Sequence, residues 1–255
     1  TSNALIPQPG TKYYNRPNQQ LNCELPSELG DFEELEELSL PCGKFRGSIP
    51  SSFGNLPNLH CLNLRSNCLT GAIPKELSNL TNLTHLFLQN NRLTGTIPGE
   101  LGSLIQLIFL DLSSNQLCGN LPNELGKLEN LNELFLNDNK FSGTIPATFG
   151  QLKKLTKLKI QCNELVGDIP SELSAMKNLE ILALNNNQLS GEIPVFFGEL
   201  TKLQVLSLHN NQLTGEIPPE LSTMSSLIKL NLQNNQFCGK IPAELGSMKN
   251  LANLQ

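Results

Sequence analysis

The segment Leu62-Asn63-Leu64 alternates apolar and polar positions over the length of a short strand, with Leu59 before it and Asn67 and Leu69 after it. The same apolar pair returns every 24 residues, at Leu38/Leu40, Leu86/Leu88, Leu110/Leu112, Leu134/Leu136, Leu158/Ile160, Leu182/Leu184, Leu206/Leu208 and Leu230/Leu232. Period-two alternation buries one face of a strand and leaves the other outside. One repeat is too small to cover its own leucines, so neighbours must stack in register. The pattern therefore predicts a parallel sheet over one continuous core.

The other positions keep the same period. Ten prolines, from Pro26 to Pro242, form one arithmetic series, and a glycine stands three residues before nine of them, from Gly47 to Gly239. Glycine permits positive φ at a bend and proline fixes φ after it. The stretch that follows, such as "KELSNLTNL" from Lys75, is too short for an isolated helix. It predicts one or two helical or 3₁₀ turns on the outer side. Asparagine recurs at Asn67, Asn91, Asn115, Asn139, Asn163, Asn187, Asn211 and Asn235. A buried amide carries both donor and acceptor, so this column predicts a ladder that satisfies backbone groups where the chain leaves each strand. Gly43 interrupts the ladder, and that end is expected to be looser.

Stretches such as "LTGEIPPELSTMSSLIKLNLQNN", residues 213 to 235, resemble the plant-type leucine-rich repeat, and the likeness runs from about residue 21 to 255. The resemblance implies an α/β, right-handed solenoid. Its concave parallel sheet would hold about nine to ten short strands, with 3₁₀ or short helical turns on the convex side. It is similar to the extracellular domains of plant receptor-like kinases, receptor-like proteins and polygalacturonase inhibitors, and to protist and algal surface proteins. Two departures stand out. The family's usual N-terminal cap has paired cysteines around a tryptophan, whereas this chain has no tryptophan, and residues 1–20 read as an irregular segment. At the other end "NLANLQ" stops inside a strand with Leu251 and Leu254 in core slots, so the array is expected to continue past Gln255.

Composition narrows the function. A net charge of −5 and a pI of about 5.3 argue against nucleic acid or an anionic membrane surface as partner. No run of about 18 apolar residues occurs, so membrane contact would come only through segments outside this chain. The seven cysteines do not pair by slot. Cys118 and Cys238 share a column five repeats apart, as do Cys42 and Cys162, and the nearest pair, Cys42 and Cys68, is marginal at about 8 Å. Free thiols are expected, which weighs for an intracellular site against the extracellular or cell-surface one that the resemblance implies. "NLTNLT" at Asn79–Thr84 contains two glycosylation sequons, but the repeat consensus produces them too. His60, His85 and His209 fall in different slots with no second ligand, and the Glu100, Glu124, Glu172, Glu220 and Glu244 column is solvated. No catalytic residue, metal site or cofactor is expected.

What varies are the outward slots of the strands. The slot before the first leucine carries Glu37, Cys61, His85, Phe109, Glu133, Lys157, Ile181, Val205 and Lys229. The slot between the leucines carries Ser39, Asn63, Phe87, Asp111, Phe135, Lys159, Ala183, Ser207 and Asn231. Phe87, Phe109 and Phe135 occupy consecutive repeats on the solvent side, a patch that soluble proteins keep for partners. With His85, Asp111, Glu133, Lys157 and Lys159 they form the expected binding surface for a protein or peptide. The alternatives are a structural or ice-binding repeat protein, which would favour one uniform small polar column, and the ectodomain of a receptor kinase whose kinase lies outside this chain.

Overall fold

The structure is a computed structural model that describes residues 5–255. Each Leu-x-Leu unit forms a strand of three residues, such as Cys61–Asn63, whose central leucine faces the core. These strands stack in chain order as an 11-stranded parallel sheet running from Tyr13–Asn15 to Asn253–Leu254. The register follows the period, with Leu62 opposite Leu86 and Leu86 opposite Leu110. The leucine columns beneath are fully buried, joined by Phe45, Phe53, Phe141, Phe149 and Phe197. Each such side chain contributes roughly 1.5–3 kcal/mol of burial.

The strand count exceeds the expected nine to ten at the two ends. Residues 1–20 were expected to be irregular. Residues 1–4 lie outside the described residues, but Tyr13–Asn15 pairs with Glu37–Ser39 as an edge strand. Tyr14 stands 24 residues before Leu38, faces it in the sheet and is 5% exposed, so a tyrosine fills a leucine slot. At the other edge Leu254 pairs with Leu230 and remains 46% exposed.

Each proline of the series opens a five-residue 3₁₀ turn. Pro74, at φ −63° and ψ 129°, precedes Lys75–Asn79. The turns stack closely where a glycine takes the fourth position: a Cβ added at Gly54 would lie 2.2 Å from the Glu76 carbonyl oxygen. Between strand and turn, a side of the solenoid carries two small parallel sheets that the leucine pattern did not foretell. One joins Thr94–Gly95, Gln116–Asn120 and Lys140–Ser142; the other joins Val166–Gly167 and Gln188–Leu189.

The asparagine column closes the strand exits. Asn91 Oδ1 accepts the Leu69 N–H at 3.0 Å, and its Nδ2 donates to the Leu64 and Leu88 carbonyls at 3.0 Å. Asn115, Asn139, Asn163, Asn187, Asn211 and Asn235 repeat this geometry. At the Gly43 interruption, Asn67 Oδ1 accepts from both Gly43 N at 2.8 Å and Phe45 N at 3.1 Å. The missing amide therefore leaves that N–H paired. Gly43 itself is required by Phe45, whose ring would lie 2.2 Å from an added Cβ. A second amide column was not foreseen: Asn58, Asn82, Asn130, Asn178 and Asn250 donate to the carbonyls of Glu33, Pro57, Ile105, Lys153 and Ser225 at 2.8–2.9 Å. Asn82 of the double sequon thus serves the scaffold.

Candidate recognition surface

Because the strands from Glu37–Ser39 to Lys229–Asn231 in the main sheet have three residues each, the first and third face the concave side and the sheet register sets their neighbours. His85, Phe109 and Glu133 lie side by side, as do Phe87, Asp111 and Phe135. Lys157 and Lys159 continue the two rows on the next strand. The eight residues singled out in the sequence therefore form one continuous patch over four strands.

The patch packs more tightly than outward slots imply. Phe87 and Phe109 have ring centroids 4.7 Å apart, and Phe109 meets Phe135 edge-on at 5.4 Å. His85 stacks on Phe87 at 6.0 Å and on Phe109 at 6.3 Å, with its Nδ1 2.9 Å from Thr84 Oγ1. The rings cover one another, so all three phenylalanines are half-buried. Asp111, expected on the solvent side, is only 6% exposed. Its side chain is shorter than the flanking rings, and Oδ1 accepts from Ser113 N at 3.0 Å and Ser113 Oγ at 2.6 Å. Burial pushes its carboxyl above the usual range, against the downward pull of the Ser113 hydrogen bonds and of Lys159.

The two lysines are already engaged. Lys157 Nζ lies 2.9 Å from Glu133 Oε1, and Lys159 Nζ sits over the Phe135 ring, 4.8 Å from its centroid. Further along the sheet, sequence reading missed a set of unpartnered polar atoms. Gln161 Oε1, His209 Nδ1, Asn231 Oδ1 and Gln233 Oε1 are buried without a hydrogen-bond partner among the described residues. Burial, then Lys229, holds the His209 imidazole below its ordinary pKa. For three of them the signal was the third outward slot, which reads Gln161, Asn185, His209, Gln233; Asn231 stands in the slot between the leucines.

The seven cysteines are free thiols, and burial pushes Cys61 up to about 11. Among the described residues no group of acidic, histidine and cysteine side chains could hold a metal, and no helix is long and apolar enough to cross a membrane. An open groove of about 790 Å³ lies on the outer side, where Gly99 and Gly102 lack side chains, away from the patch.

The chain matches the sequence profile described as Leucine rich repeat over residues 33–93, 129–189 and 177–237, and a second leucine-rich repeat profile over 106–128. No curated protein sequence matches it. It is 38% identical to the solved structure of a TDR receptor, covering 91% of this chain and 40% of that one, with a TM-score of 0.88. To the plant peptide hormone receptor RGFR1 in complex with RGF2 it is 34% identical, with coverage of 90% and 40% and a TM-score of 0.83. To a plant ice-binding protein it is 32% identical, with coverage of 91% and 76% and a TM-score of 0.76. The chain spans about 40% of the length of each of the two receptors. On profile, identity and fold together, the chain belongs to the leucine-rich repeat family.

Proposed function

We propose that the chain is a non-catalytic recognition module that binds a protein or peptide across its concave sheet face, as part of a longer receptor-like or cell-surface protein. The observation that carries this reading is the aromatic patch. Three phenyl rings meet on adjacent strands at 4.7 and 5.4 Å and remain partly exposed, while the leucine slots beneath them barely vary. Such a patch on a rigid solenoid has the composition of an interface hot spot. Similarity to a plant peptide hormone receptor supports the same reading and an extracellular or cell-surface location. A finer version, the ectodomain of a receptor kinase, rests on likeness to structures such as the receptor kinase HAESA in complex with the peptide hormone IDA, and on no residue of this chain.

The test is selection of binders from a displayed random peptide library, followed by titration of the enriched peptides against Phe109→Ala. The proposal expects binding to fall about 30-fold, equivalent to about 2 kcal/mol. Peptides that bind the variant as well as the parent would sink it.

One feature of the lateral face supports a second reading, ice binding. Thr70, Thr94, Ser142, Ser190 and Thr214 form a small polar column beside Thr96 and Thr144, and a plant ice-binding protein is covered over 76% of its length. Cys118 and Val166 interrupt the column, which ranks this reading second. Inhibition of ice recrystallisation by the parent, abolished by Thr94→Lys, would reverse that order.

A further inference from the structure

We infer that Phe87, Phe109, Phe135 and Asp111 form a cup that accepts one cationic side chain, arginine or lysine, from the partner. This rests on the concave face being the binding surface and adds the chemistry of one position on it.

The sheet register places the four walls. Phe87 and Phe135 stand on either side of Asp111 across the sheet. Phe109 lies two residues earlier on the same strand and face, in contact with both rings, and Ser113 lies two residues later. An aspartate is shorter than a phenylalanine, so the carboxylate forms the floor. It is 6% exposed overall, and Ser113 holds Oδ1; Oδ2 takes no protein donor among the described residues and is the part of the carboxylate that still reaches solvent. An open carboxylate oxygen at the foot of three aromatic rings is placed to take a charge-assisted hydrogen bond from a partner's cation.

The identity of the occupant follows from charge. The face of a phenyl ring is electron-rich and attracts cations, and the carboxylate asks for the same sign. A guanidinium or ammonium satisfies both, and its aliphatic stem lies along the rings. An apolar side chain would satisfy the rings alone and seal Oδ2 without a partner. A tyrosine could stack on the rings and reach Oδ2 with its hydroxyl, but it would leave the carboxylate's charge uncompensated. The chain already displays the ring preference: Lys159 Nζ rests over Phe135 at 4.8 Å. In the register Lys159 lies on the far side of Phe135 from Asp111, and no ion pair joins the two among the described residues. The neighbouring Glu133 is paired with Lys157 at 2.9 Å, so Asp111 is the acid of the patch that no salt bridge holds.

The experiment uses the whole chain and the displayed peptide library. Peptides enriched on the parent should carry Arg or Lys at one fixed position. In a synthetic copy, replacing that Arg by citrulline, or that Lys by norleucine, should weaken binding to the parent at least tenfold and binding to Asp111→Asn by a clearly smaller factor, since only the ring contribution remains there to lose. Asp111→Asn keeps an oxygen for Ser113, so matching melting curves will show that it folds. Binders lost with Phe109→Ala but indifferent to Asp111→Asn, or an apolar or aromatic residue at the fixed position, would overturn the cation assignment alone. Binders indifferent to Phe109→Ala would overturn the concave-face reading and this inference with it.

Discussion

Asn91 and Asp111 are both short polar side chains buried among apolar neighbours, 9% and 6% exposed, yet their surroundings treat them in opposite ways. Asn91 Oδ1 accepts one backbone N–H and its Nδ2 donates to two carbonyls within good hydrogen-bond distance, and the same bonds recur in seven sister repeats. Asp111 occurs once in its column, carries charge, and has one of two oxygens filled. A neutral amide that completes the backbone stabilises every copy of the repeat. A carboxylate largely withdrawn from water does not, and under the proposed reading its open oxygen is the place for a partner's cation. The ladder column is scaffold, and the Asp111 column is where the repeats differ.

The sharpest way to break this contrast is on the ladder. Asn139→Ala removes the acceptor for Leu117 N and the donor to the Leu112 and Leu136 carbonyls. It should cost about 3 kcal/mol of stability, the upper end for orphaned buried groups, read by denaturant unfolding. A loss near zero would show that water replaces the amide and that the ladder is not structural.

Phe109→Ala should act mainly on the other side of the comparison. Its effect on binding is put at about 2 kcal/mol, while stability should fall by about 1 kcal/mol because two ring contacts are lost. Ring packing makes that second figure larger than an isolated exposed phenylalanine would give. Calorimetric titration and thermal melting of one variant read both quantities, and a stability loss larger than the binding loss would recast the patch as packing.

Asp111→Asn should move stability upward. Burial raises the folded-state pKa of this carboxyl above its unfolded value. A raised acid favours the protonated form, so its contribution to stability is complete below the unfolded pKa, about 3.9, and is lost as pH rises through the folded value. At pH 7 the ionised aspartate is therefore the less stable choice, and the asparagine variant should gain up to about 1 kcal/mol. The gain should close below about pH 3.9. Unfolding curves across pH check the sign, and a variant less stable at pH 7 would show that the charge is already compensated.

The smallest effect is expected at Lys157→Met. Its ion pair with Glu133 is 2.9 Å long but partly solvated, with side chains 34% and 21% exposed. Stability should change by less than about 1 kcal/mol and the change should shrink in high salt.

Most of the fold was legible because each of its determinants is local and repeated. Leu-x-Leu specifies a three-residue strand, Gly-x-x-Pro specifies the bend and the 3₁₀ turn, and the 24-residue period specifies which strand pairs with which. The ladder was legible for the same reason. The 24-residue series also carried Tyr14 in a leucine slot, hidden because a tyrosine stood where leucine was sought. The lateral sheets were not legible, since Thr94–Gly95 and Gln116–Leu117 pair 22 residues apart and carry no apolar alternation to mark them.

The sequence by itself determined that Phe87, Asp111 and Phe135 would stand side by side, because the register of a parallel repeat array is set by its period. Only the tertiary structure decided how much of each would remain open. Exposure on a sheet face depends on the length and tilt of side chains on adjoining strands, a property of neighbours in space. That is why the rings cover one another, why Asp111 sinks beneath them onto Ser113, and why Lys157 turns to Glu133 while Lys159 lies over Phe135.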